Sequence, residues 1–202
     1  LWLFLNNFSI DKIIQKKSTT LQDMETLFEL AQGELLRANA DKRHPFRFFT
    51  LATLDQYPEV RTVVLRKASP DFKIVVFTDP RSPKIHHIQA NAHVSALFYH
   101  TKKRLQIRIR AKAILPEASS DEFAQYVQQV KSSFSVSDYT SELAPGAVLD
   151  ENEVAATEEK LFFQPIILKP QTIDVLRLSR EGHQRIQYWQ EDGRWKEARL
   201  VP

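Results

Sequence analysis

The sequence predicts a mainly β fold of the α+β class, with antiparallel strands and peripheral helices. Three observations carry this. Strand-like runs follow one another closely through 46–78, joined by the short turns DQYP and SPD, and such spacing favours antiparallel pairing. From Arg104 to Leu115 apolar and polar residues alternate almost without a break, the period of two expected of a strand. Three further strand-like runs close the chain, with Gly182 and Gly193 where tight turns are needed.

In chain order, Thr20 to Asn39 reads as an amphipathic helix. Leu21, Met24, Leu27, Phe28, Ala31 and Leu35 fall near helical spacing, and Thr20-x-x-Asp23 resembles a capping box with Asp in place of Glu. DKRHP ends it. Strands are expected at Phe46–Leu54, Val60–Lys67 and Phe72–Thr78. TDPRSPK then turns a strand end into a helix from Ser82, the N-cap, to Ala90, with Pro83 at the first helical position. Strands at Val94–His100 and Arg104–Leu115 follow. In the second, Leu105, Ile107, Ile109, Ala111 and Ala113 face one way, while Arg104, Gln106, Arg108, Arg110 and Lys112 face the other. Ser119 or Ser120 caps a helix reaching Val130. Past the APG turn at 144–146 a helix is expected near Asn152–Phe163. The last strands fall at Ile166–Leu178, Gln184–Gln190 and Trp195–Leu200. With no repeat and no linker, residues 1–202 read as a single domain in which 1–45 form an N-terminal helical extension.

Composition narrows the function classes. The absence of cysteine excludes disulfide scaffolds, thiol catalysis and thiolate metal sites, and fits a reducing cytoplasm. LWLFL at the start is too short to span a membrane and lacks the pattern of a signal peptide. A net charge of +3 is too small to imply nucleic acid. The basic face of 104–112 also lacks the interleaved aromatics of single-strand recognition. His86, His87 and His93 lie close in sequence, but without an i, i+4 pair they do not make a metal motif. No GxSxG elbow, GxGxxG or GxxxxGK[ST] is present.

What remains is an anion-binding pattern. RTVVLR at 61–66 is an apolar strand bracketed by arginines, and TDPRSPK at 78–84 places Arg81 and Lys84 around a helix start. A helix N-terminus favours anions, so a cation in its first turn is unfavourable by roughly 0.3–1 kcal/mol. A bound anion reverses that sign, which makes Lys84 the most telling local conflict in the chain.

These motifs carry a resemblance. RTVVLR, FTDPRSPK, the NAHVSALFYH segment and RLQIRIRAKA, in this order, resemble the pyridoxamine 5′-phosphate oxidase-like flavoproteins. HQR at 183–185 and the closing RWKEARLVP are similar to the family's ending, His-Asp-Arg and then Trp…Arg-Leu-x-Pro. The resemblance implies an FMN-binding split β-barrel of antiparallel Greek-key type, working as a homodimer with flavin sites at the subunit interface. By position, Arg61 and Lys84 match contacts to the FMN phosphate, and Ser82 matches a further contact near it. Arg81 stands in for a family arginine whose own position is Pro83. Arg66 replaces a lysine near the flavin ring. Thr62, Val63, Val64, Phe77 and Thr78 match positions lining the cofactor, largely through backbone. Gln106 and Arg185 match flavin contacts that in the family can come from the second subunit.

For substrate, the resemblance implies Tyr126, Ser133 and His183. The family's arginine between the first two is Val130, its Arg-x-His is Glu181-Gly182-His183, and a C-terminal Trp is Leu176. The expected function is FMN-dependent oxidoreduction of a small substrate, with hydride passing to or from the flavin and no side chain acting as nucleophile or metal ligand. A flavin carrier or sensor without turnover, and a basic nucleic-acid-binding module, are the alternatives.

Overall fold

The computed structural model describes residues 27–133, 136–151, 155–157 and 159–202. Helix α1 occupies 27–40 and turns Leu27, Ala31, Leu35 and Ala38, one helical face, into the main core. Its expected start at Thr20 lies outside the described residues, as does the Thr20-x-x-Asp23 box. Then come β1 (Phe48–Leu54), β2 (Pro58–Val64), β3 (Lys67–Ala68), β4 (Ile74–Thr78), α2 (Pro83–Ala90), β5 (His93–His100) and β6 (Leu105–Ile114). Helix α3 (Asp121–Lys131), β7 (Gln164–Arg177), β8 (Gln184–Glu191) and β9 (Arg194–Leu200) follow, and short 3-10 turns occupy Pro45–Arg47 and Val136–Tyr139.

Every strand pairing is antiparallel, in the order β2-β1-β5-β6-β7-β4-β3, with β8 and β9 continuing from β7. The long β7 bends the sheet. Its first residues pair with β4 and its last with β8, while β6 runs along its other edge. The β6–β7 register shifts between Arg110 and Ala111, opposite Pro170, a residue with no N–H to give the ladder. The sheet does not close on itself: β2 and β3 end its main path and β9 ends the branch, and the result is a split barrel. β6 buries alternate residues as its sequence predicts, with Leu105, Ile107, Ile109, Ala111 and Ala113 inside. Among the described residues no helix is long and apolar enough to cross a membrane.

Two expected elements differ. The strand Val60–Lys67 ends at Val64, because Leu65 turns fully inward while its N–H bonds the Arg47 carbonyl. The helix near Asn152–Phe163 is not formed in its described part. Thr157 instead bridges Ser141, and the Phe162 N–H donates to the Tyr139 carbonyl. Phe163 is buried edge-on against Phe77 and Tyr139. Aromatic packing beneath α3 thus overrides local helical preference.

A buried carboxylate fastens α1 to the barrel. Glu34 is fully buried; one oxygen pairs with Arg37 and Lys103, while the other faces His44 Nε2 at 3.0 Å and His100 Nε2 at 3.7 Å. These residue types can hold a metal, but their tautomers oppose it. Nδ1 of His44 accepts the Phe46 N–H and Nδ1 of His100 accepts the Lys103 N–H, which puts each ring proton on Nε2, facing Glu34. The group is an ion-pair hub.

Candidate functional site

The open side of the barrel lies where edge strand β2 passes β4 and the start of α2. A groove of about 460 Å³ sits there, lined by Arg61, Ser82, Lys84 and His87 together with Pro145 and Gly146. β2 delivers Arg61 because alternation along an edge strand points every second side chain to one face. α2 delivers Lys84 and His87, three residues apart and therefore on one helix face.

Ser82 is the N-cap of α2, yet its hydroxyl makes no capping hydrogen bond. It receives the Lys84 ammonium instead, which also donates to Thr78 Oγ1 at 2.9 Å. Arg61 Nη1 donates to Thr53 Oγ1 at 2.6 Å. The Thr53 hydroxyl, its oxygen already accepting, is left to donate to His87 Nδ1 at 3.0 Å. Arg61 and His87 are thereby held by one hydroxyl.

Among the described residues neither Arg61 nor Lys84 makes an ion pair within 4.0 Å. Burial lowers the Lys84 ammonium below its ordinary pKa, and Arg61 beside it lowers it further, against an opposing pull from Asp79. Burial likewise lowers Arg61. Two desolvated cations facing one groove at a helix N-terminus fit an oxyanion.

The other candidates fall into groups. Arg66 donates to the Tyr139 hydroxyl at 3.0 Å and lies 5.6 Å from the Phe77 ring centroid. Thr62 is exposed on β2, and Val63 packs against the core. Val64 ends the strand. Arg81 does not line the groove; its guanidinium lies between Asp79 and the carbonyls of 141–143.

Gln106 and Arg185 stand elsewhere. Register places Gln106, Leu176 and Arg185 side by side across β6, β7 and β8. In sheet order β6 is three steps from β2, roughly 14 Å at about 4.8 Å per strand. Arg185 is held with Arg108 on buried Asp174, at 2.9 and 2.6 Å. Burial raises the Asp174 carboxyl, but the arginine hydrogen bonds outweigh it and hold it below the usual range. Of the substrate candidates, Tyr126 is a buried residue of α3, Ser133 follows that helix and donates to the Val130 carbonyl, and His183 sits exposed in the β7–β8 turn.

Sequence reading passed over Asp55, Glu59, His87, Pro145 and Gly146, which also line the groove. Only His87 carried a signal, its spacing of three from Lys84.

Fold and site together define a split barrel with a cation-lined groove at its open edge. The family model described as pyridoxamine 5′-phosphate oxidase, FMN-binding domain, matches residues 29–116. Over that stretch the chain is similar to the pyridoxamine 5′-phosphate oxidase-like family, and it shares the split-barrel fold of solved FMN-binding relatives. Pyridoxine/pyridoxamine 5′-phosphate oxidase of Psychrobacter cryohalolentis is 33% identical over 107 residues, 53% of this chain and 48% of that protein. Its Psychrobacter arcticus counterpart is 30% identical over 136 residues, 66% of this chain and 62% of its own length. The chain therefore spans between about half and somewhat under two thirds of these relatives.

Two solved structures share the fold. A pyridoxamine 5′-phosphate oxidase-related, FMN-binding protein from Nostoc punctiforme superposes with a TM-score of 0.68 at 22% identity, covering 85% of this chain and 96% of its own. PhzG from Burkholderia lata, in complex with tetrahydrophenazine-1-carboxylic acid, gives 0.63 at 18%, with 86% and 91% covered.

Proposed function

We propose that the chain is an FMN-dependent oxidoreductase acting on a small substrate. The observation that carries this is the pair Arg61 and Lys84, desolvated cations without an ion-pair partner among the described residues, converging on one groove beside Ser82. Arg61, Ser82 and Lys84 would hold the FMN phosphate. At about 1.5–3 kcal/mol for each charge-assisted hydrogen bond, three of them approach the roughly 8 kcal/mol of micromolar binding. Thr62, Val63, Val64, Phe77 and Thr78 would line the cofactor where β2 passes β4, with Arg66 near the ring. When bound, FMN supplies the two-electron redox chemistry, so the chain's own task is to bind, orient and shield.

The burial of Tyr126 and the apolar Val130 beside it favour a substrate other than a standard vitamin B6 phosphate, or one held by altered contacts. Titration with FMN should give a bound flavin spectrum, and anaerobic addition of candidate donors such as pyridoxamine phosphate or NAD(P)H should bleach it. Binding without bleaching by any donor would favour a carrier or sensor; no binding would remove both readings.

The active form in this reading is a homodimer. Register puts Phe48, Leu54, Val60, Leu97 and Tyr99 on one outer sheet face, exposed by 61, 45, 64, 37 and 48%. A contiguous apolar patch of this kind marks an interface. Gln106 and Arg185 share that face, so a second copy laid on it would cover them. Phe48→Glu with Leu97→Glu is expected to yield monomers in analytical ultracentrifugation where the parent sediments as a dimer. A monomeric parent would refute the assembly.

A further inference from the structure

We propose that Arg81 is a positioning residue: it clamps loop 141–146 against the start of α2, and so builds the outer wall of the cradle. Its guanidinium is held from two sides. Asp79, buried beneath it, accepts from Arg81 Nε at 3.1 Å and Nη2 at 2.7 Å, and from the Arg81 backbone N–H at 2.7 Å. On the far side Nη1 donates to the Glu142 carbonyl at 2.8 Å. Nη2 reaches the Ser141 carbonyl at 2.7 Å and the Leu143 carbonyl at 3.4 Å. The guanidinium carbon also lies 3.4 Å from the centroid of the Phe162 ring.

Three successive carbonyls converging on one cation bend the loop back on itself. The Ala147 N–H then closes a turn onto the Ala144 carbonyl at 3.0 Å, and Gly146 takes φ +92°, a value costly for any residue with a Cβ. This turn carries Pro145 and Gly146 to the groove that Ser82 and Lys84 also line. The loop is pinned at its base as well: Ser141 bridges Thr157, and the Glu142 N–H donates to the Ala156 carbonyl.

Charge accounting agrees. The Asp79 carboxylate neutralises Arg81 locally, leaving Arg61 and Lys84 as the groove's lysine and arginine charges beside the carboxylates of Asp55 and Glu59. A lysine offers a single point charge and no planar fork, so it cannot serve Asp79 and the loop carbonyls together.

The full chain carrying Arg81→Ala or Arg81→Lys tests this through two readouts. One is the rate of cleavage after Glu142 by a glutamate-specific endoproteinase; the other, which rests on the FMN reading, is FMN affinity. Both variants are expected to be cut faster and to bind FMN more weakly, each by on the order of tenfold, a change of about 1.4 kcal/mol. Should Arg81→Ala not fold by circular dichroism, Arg81→Lys carries the comparison. Wild-type behaviour of Arg81→Lys in both readouts would overturn the clamp, and so would weaker FMN binding with cleavage unchanged. Faster cleavage with FMN affinity intact would overturn the wall. If the wild type binds no FMN, the cofactor reading falls, while the cleavage rates still decide the clamp.

Discussion

Replacing Arg61 and Lys84 together by alanine is expected to weaken FMN binding by about two to four orders of magnitude. That range is two charge-assisted hydrogen bonds at roughly 1.5–3 kcal/mol each. The fold should not suffer, because the pair opposes itself in the absence of an anion. Burial and then the neighbouring Arg61 depress the Lys84 pKa in the folded state. For a cation with a depressed folded pKa, the unfolded chain binds more protons between that value and the ordinary 10.5. Apoprotein stability should therefore rise with pH across this window, and the rise should vanish in Lys84→Ala or with FMN bound. Thermal unfolding with and without FMN reads both effects. A double variant that keeps its FMN affinity would mean that the phosphate lies elsewhere.

Loss of Glu34 should bring the largest drop in stability. Glu34→Ala strands Arg37, Lys103 and the His44 Nε2–H around a buried void. Breaking a buried pair typically costs 3–5 kcal/mol, and the partial exposure of both cations reduces this to about 2–3 kcal/mol, a Tm fall of roughly 5–10 °C. Glu34→Gln, which keeps an acceptor for His44, should lose less. Acid acts on the same hub. Burial first, and nearby cations after it, lower the pKa of His44 and of His100 beneath 6.5. Stability should thus be complete above pH 6.5 and decline as pH falls toward the folded values, because each protonation breaks a backbone bond to Nδ1. A Tm in Glu34→Ala within a degree or so of the parent would show that α1 is fastened by its apolar face alone.

How much the sequence disclosed depended on the range of each interaction. The inward row of β6 and the Ser82-Pro83 start of α2 are local patterns, legible from a few residues. Arg61 and Lys84 were legible as well, since strand alternation and helix phase fix their directions. Arg81 was legible as a cation near a helix start but not in its direction. Asp79 lies two residues away, whereas the carbonyls it meets lie some sixty residues further on. The missing helix near 152–163 has the same cause, because Phe163 answers to Phe77 and Tyr139 rather than to its neighbours. Glu34 carries no local signal that marks it for burial. Its burial depends on His44 and His100 being brought together by the β1 entry and the end of β5.

The most direct measurement compares the dissociation constants of FMN and riboflavin, which differ only in the phosphate, on the same wild-type protein. If Arg61, Ser82 and Lys84 cradle that phosphate, FMN should bind tighter by about two orders of magnitude or more, and salt should narrow the gap. Equal affinities for the two flavins would contradict the cradle.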